Sequence, residues 1–151
     1  MRAHRLNAYE LAPAGMRALR EVESYLHQTT LGSQLIELVK MRASQINGCA
    51  YCLDMHSKAL RKGGESEQRI YLLNAWRESP LYTPRERAAL AWTDALTRIA
   101  ETQAPDEVYA QVREQFDDKE IVDLTTLIGM INLWNRLAIS LRYEHPVGGE
   151  R

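Results

Sequence analysis

The chain has 151 residues, 45% of them hydrophobic and 26% charged, with a formal net charge of −1 at pH 7. That length and balance suit one soluble globular domain with a sizeable core, and the near-zero net charge gives no electrostatic footprint favouring nucleic acid or an anionic membrane, so neither is expected as a partner. No continuous apolar stretch approaches a membrane span or a secretory leader, so the expected compartment is the cytoplasm, where a lone cysteine pair is more often catalytic than structural.

Taken in chain order, the sequence predicts helices throughout and no β-rich alternating run. Pro13 opens a first helix that runs to about Thr29. Leu31, Leu35, Leu38, Val39, Ala43 and Ile46 then form an apolar stripe at helical spacing, and Asn47-Gly48 stops it. The cysteine segment starts the next helix, which ends near Gly63-Gly64. Glu65 or Ser66 begins a short helix through Trp76. Thr83-Pro84-Arg85-Glu86 reads as an N-cap, a first-turn proline and acidic support for a helix carrying Ala88, Ala91, Trp92, Ala95, Leu96 and Ile99. Arg85-Glu86-Arg87 is expected to be a solvated helix start. Pro105 begins another short helix to about Gln115. Asp117-Asp118 precedes a last long helix whose apolar residues nearly surround it, which predicts a central position or a subunit contact. The segment from His145 to Arg151 is polar, Gly-rich and expected to be mobile. The expected organisation is an all-α bundle of six or seven helices forming a single domain over 1–151.

The chemistry concentrates in Cys49-Ala50-Tyr51-Cys52 with His56 following. Two thiols separated by two residues can close a small disulfide, and an imidazole one helical turn on can help to ionise a thiol. A structural zinc site takes two ligand pairs. Only one pair is present, and His4, His27 and His145 show no matching spacing, so no metal or other cofactor is expected. Trp76, Trp92 and Trp134 fall in apolar helical patterns that predict core or interface positions.

With a helix beginning at Cys49 or Ala50, Cys49, Cys52 and His56 occupy i, i+3 and i+7 on one face. On the preceding helix, Glu37, Met41, Ser44 and Gly48 share a stripe away from the main apolar one, where Glu37 is either a solvated charge or a site residue. Glu37 lies about 18 Å from Cys49 along a straight helix. With a hairpin at Asn47-Gly48, heights from the turn rise in the order Cys49, Cys52, His56, Glu37, which makes the histidine the natural bridge between carboxylate and thiol. The order suggests a relay, Glu37 orienting or charging His56 and His56 serving Cys52. The helix N-terminus favours Cys49 as the low-pKa thiol and a charged His56 favours Cys52. The second influence is generally the larger.

The run Glu37-Leu38-Val39-Lys40-Met41-Arg42-Ala43-Ser44-Gln45-Ile46-Asn47-Gly48-Cys49-Ala50-Tyr51-Cys52, with His56, resembles the core of the AhpD-like alkylhydroperoxidases of the carboxymuconolactone decarboxylase superfamily. The similarity is clearest from about Leu31 to Thr97. It implies an AhpD-like all-α fold assembling into trimers or hexamers, and reduction of alkyl or hydrogen peroxides by the cysteine pair. Carried over, Cys52 is the nucleophile, Cys49 the resolving thiol, and Glu37 and His56 the relay. A lipoyl-linked protein is the implied dithiol reductant. One departure is Tyr51, which stands where the fuller family motif has a second histidine and which cannot serve as a base near neutrality.

Two other functions remain open on the sequence. Decarboxylation of a lactone acid is the non-redox activity of the superfamily, but members with it lack the cysteine pair. A redox sensor or oligomeric binding protein would use the same disulfide without fast turnover.

Overall fold

The computed structural model describes residues 3–148, and these form helices and turns with no strand. Nine α-helices follow in order: α1 Ala8–Leu11, α2 Pro13–Leu26, α3 Ser33–Asn47, α4 Ala50–Lys62, α5 Glu67–Leu72, α6 Pro84–Thr97, α7 Ile99–Thr102, α8 Asp106–Gln115 and α9 Asp118–Leu141. A 3-10 turn, Leu73–Ala75, extends α5. The count exceeds the expected six or seven because α1 and α7 are single turns of four residues, too short to show periodicity.

Local signals set the boundaries. Thr83 accepts from the Glu86 N–H while the Glu86 side chain returns to the Thr83 N–H, a capping box that starts α6 with Pro84 in its first turn. Asp117 and Glu120 repeat the device at α9. Ser66 caps α5.

The core is organised around α3, which packs against α4, α6 and α9. One apolar cluster gathers Ile36 and Val39 of α3 with Ala89 and Trp92 of α6 and Leu124, Leu127 and Ile128 of α9. A second joins Leu38 and Met41 of α3 to Leu60 of α4, Leu73 and Leu90. Surrounded in this way, α3 buries even its cations. Arg42 forms a two-pronged pair with Asp94 of α6, Nε to Oδ1 at 2.7 Å and Nη2 to Oδ2 at 3.1 Å. Asp94 also accepts from the Trp76 indole and from Arg77, so the buried carboxylate is fully answered.

Arg85-Glu86-Arg87 departs from the expected solvated start. Arg85 pairs with Glu120 of α9 at 2.7 Å, Glu86 pairs with Arg69 of α5, and Arg87 donates to the carbonyls of Trp76, Arg77 and Ser79. These partners lie outside α6, from 8 to 35 residues away, which is why helical spacing alone does not reveal them. Trp76 and Trp92 are buried in the two clusters. Of the tail expected to be mobile, 149–151 lie outside the described residues.

Candidate active site

The α3–α4 corner is built by one glycine. Gly48 adopts a left-handed conformation, φ 70° and ψ 38°, which an L side chain resists and glycine accepts. The N–H groups of Gly48 and Cys49 both return to the Ser44 carbonyl. Asn47 donates to Asn132 and Asn135 of α9, each at 2.9 Å, and Asn135 donates to Ser44 Oγ at 3.0 Å. This latch holds the end of α3 against α9 and leaves the chain poised to start α4.

Cys49 is the N-cap of α4, and its sulfur accepts the Cys52 N–H at 3.3 Å. The two cysteines form a disulfide with Cα atoms 5.3 Å apart, inside the range such a bridge needs. Both are buried, packed with Ala138 of α9 and beside Tyr51 and Tyr143.

The hairpin brings Glu37 to His56. His56 Nδ1 lies 2.8 Å from Glu37 Oε2, and both side chains are largely enclosed, so the reading of Glu37 as a solvated surface charge does not hold. Burial pushes the Glu37 carboxyl up, but the His56 hydrogen bond and charge, with Lys40 and His27 further off, outweigh it and hold the group below its ordinary value. A carboxylate on Nδ1 fixes the ring and leaves Nε2 for exchange on the other side.

Cys52 and His56 line a pocket of about 240 Å³ bounded by α1, α2, α3, α4, α9 and the residues just after α9. Cys49 is not among its lining residues. Tyr51 lines the wall and meets Tyr143 edge-on, with ring centroids 5.5 Å apart. Trp134 also lines the pocket, beyond its expected core or interface place, and donates its indole N–H to Glu23 Oε1 at 2.7 Å. The other Glu23 oxygen pairs with the buried Lys40 at 2.6 Å, and Lys40 lies 3.5 Å from His27 Nε2.

Glu23, Lys40, Trp134 and Tyr143 were not part of the expected site. Lys40 carries a signal in the sequence, since it falls at i+3 from Glu37 and so shares its side of the helix. Glu23, Trp134 and Tyr143 carry none, because they arrive from α2 and from the end of α9.

With this geometry in place, comparison with known proteins identifies the lineage. Residues 12–95 match the model of the carboxymuconolactone decarboxylase family, and the chain belongs to that family as an AhpD-like member. It is 45% identical over 139 residues to the uncharacterized protein YdfG of Bacillus subtilis, covering 92% of this chain and 95% of that one. A crystal structure from Agrobacterium tumefaciens, described as a putative antioxidant defence protein AhpD, superposes with a TM-score of 0.93 at 49% identity, over 97% of this chain and 100% of the other. A peroxidase-related protein from Silicibacter sp. TM1040 has a TM-score of 0.81 at 26% identity, over 93% of this chain and 74% of its own.

Proposed function

We propose that the protein is a thiol-dependent peroxidase that reduces alkyl or hydrogen peroxides through Cys49 and Cys52. The observation that carries this reading is the placement of Cys52 and His56 on one pocket wall, with Glu37 holding the far side of the imidazole. Family membership supports it. The described disulfide corresponds to the oxidised end of the cycle.

In the reduced protein, His56 takes the Cys52 proton and the thiolate attacks the distal peroxide oxygen. The S–O bond forms as the O–O bond breaks. The departing alkoxide, or hydroxide from hydrogen peroxide, takes the proton back from His56 and leaves as an alcohol or as water, and Cys52 becomes a sulfenic acid. Cys49 then attacks the Cys52 sulfur, forming the disulfide and releasing water. A dithiol, such as a lipoyl-linked protein, supplies two electrons and two protons by thiol exchange and is itself oxidised to a disulfide. We take residues 1–151 as one domain of a cytoplasmic homo-oligomer, a trimer or hexamer. No helix of the described residues is long and apolar enough to cross a membrane.

The test is trapping of the sulfenic acid. Cys49→Ser should react once and stop with the label on Cys52, and Cys52→Ser should not react. Glu37→Gln and His56→Ala should slow peroxide reduction by about 10²–10⁴-fold, the range typical of general acid–base assistance. A label on Cys49 would reverse the assignment of roles. Survival of both thiols under excess peroxide would overturn the peroxidase reading, and oxidation without sustained turnover under any dithiol would favour a redox sensor.

A further inference from the structure

The pocket over Cys52 has apolar walls and one unanswered charge. Tyr51, Met55, Trp134 and Tyr143 present ring and thioether surface to it. Besides Cys52 and the tyrosines, four side chains that carry or can take up charge near neutrality face the same space, namely Arg20, Glu23, Lys40 and His56. Three already have partners. Glu23 spends one oxygen on Lys40 and the other on Trp134, and His56 is engaged by Glu37. Arg20 is the exception. It projects from α2, exposed to solvent, with its guanidinium 4.5 Å from the Tyr9 ring centroid, and no carboxylate among the described residues pairs with it. The ring beneath orients the guanidinium fork while leaving its N–H groups available.

Size narrows the ligand further. A volume of about 240 Å³ falls below the roughly 300–1,000 Å³ of pockets that enclose drug-sized ligands. A single ring or a short branched chain fits such a space, and the tail of a long-chain lipid would be left in water.

On the thiol-peroxidase reading, we infer that the substrate is a small organic hydroperoxide with an aromatic or branched apolar body and a carboxylate directed at Arg20. The aromatic walls take the body, Cys52 takes the distal peroxide oxygen and becomes a sulfenic acid, and the carboxylated alcohol leaves with the proton held by His56. Cys49 then expels water, and an added dithiol returns the pair to thiols. Arg20 takes no part in bond making and sets the preference among substrates.

The experiment compares para-carboxy cumene hydroperoxide with neutral cumene hydroperoxide in oxidising the pre-reduced protein. Wild type should favour the carboxylated compound about two- to fivefold at low ionic strength, the scale of one rim charge pair, and less as salt rises. The ratio should fall to near one in Arg20→Met and be partly kept in Arg20→Lys. Calorimetry with the unreactive pair para-isopropylbenzoate and para-isopropylbenzamide should show the same dependence on Arg20. Equal rates and equal binding for charged and neutral compounds, or a preference that survives in Arg20→Met, would overturn the inference. Arg20-dependent binding of para-isopropylbenzoate without thiol loss to any hydroperoxide would overturn the peroxidase reading and sustain the pocket's preference for a carboxylated ligand.

Discussion

Glu37 shows how one residue ties the site to the stability of the fold. Its carboxyl is largely enclosed yet held below its ordinary value of 4.5, because the hydrogen bond and charge of His56 outweigh burial. A carboxylate with a depressed folded-state pKa stabilises the fold above its unfolded value, and that contribution is lost as pH falls through the folded one. Wild type should therefore lose stability more steeply than Glu37→Gln as pH falls from about 5 towards 3. Denaturant unfolding of both at a series of pH values reads this directly. A stability gap that stays constant across the range would mean the pairing with His56 does not hold the carboxylate ionised. Lys40 and Arg42 follow the same logic on α3, since each buried cation comes with a carboxylate, Glu23 or Asp94, from another helix.

At the scale of the element, the α3–α4 corner decides whether Glu37 and His56 meet. Gly48 turns the chain by adopting positive φ, and a Cβ placed there would touch nothing within 4 Å. The cost of Gly48→Ala is then almost wholly backbone strain, on the order of 1–2 kcal/mol, and Gly48→Asn should cost less because Asn tolerates this conformation. Chemical denaturation of the two variants checks the order. Equal stability of Gly48→Ala and wild type would show that the corner does not need the left-handed residue. The position of Cys49 depends on the same turn, because as N-cap it stands just outside the helix with its sulfur on the Cys52 N–H.

For the whole molecule, the apolar character of α9 is only partly absorbed by the fold. Leu124, Leu127, Ile128 and Ile131 are fully buried, whereas Leu133 and Leu137 remain half-buried along a groove of about 720 Å³ between α2, α6 and α9. Ile99, at 51% exposure, lies on its edge. A mainly apolar groove left open to water is costly for a small protein, and a second copy seated on it would relieve that cost. Sedimentation at micromolar concentration should show a trimer or hexamer, and Leu137→Glu should shift it towards monomer. A wild-type protein that sediments as a stable monomer would refute the assembly.

What the sequence by itself determined is local. The stop at Asn47-Gly48, the caps at Thr83 and Asp117, and the common face of Cys49, Cys52 and His56 all follow from dihedral preferences and the 3.6-residue repeat. Even the meeting of Glu37 with His56 was legible, because a tight hairpin leaves little choice in how two successive helices align. The rest was decided by how non-successive helices pack. Glu23 and Trp134 stand 111 residues apart and share a hydrogen bond in the pocket wall. Arg85, Glu86 and Arg87 read as a solvated helix start until α5, α9 and the segment after the 3-10 turn close around them. Spacing along one helix fixes which side chains share a face, but not which remote helix covers that face or at what rotation. Those depend on the fit of side chains between helices, and so the pocket over Cys52, its aromatic walls and the seat of the Arg20 guanidinium on the Tyr9 ring exist only in the folded chain.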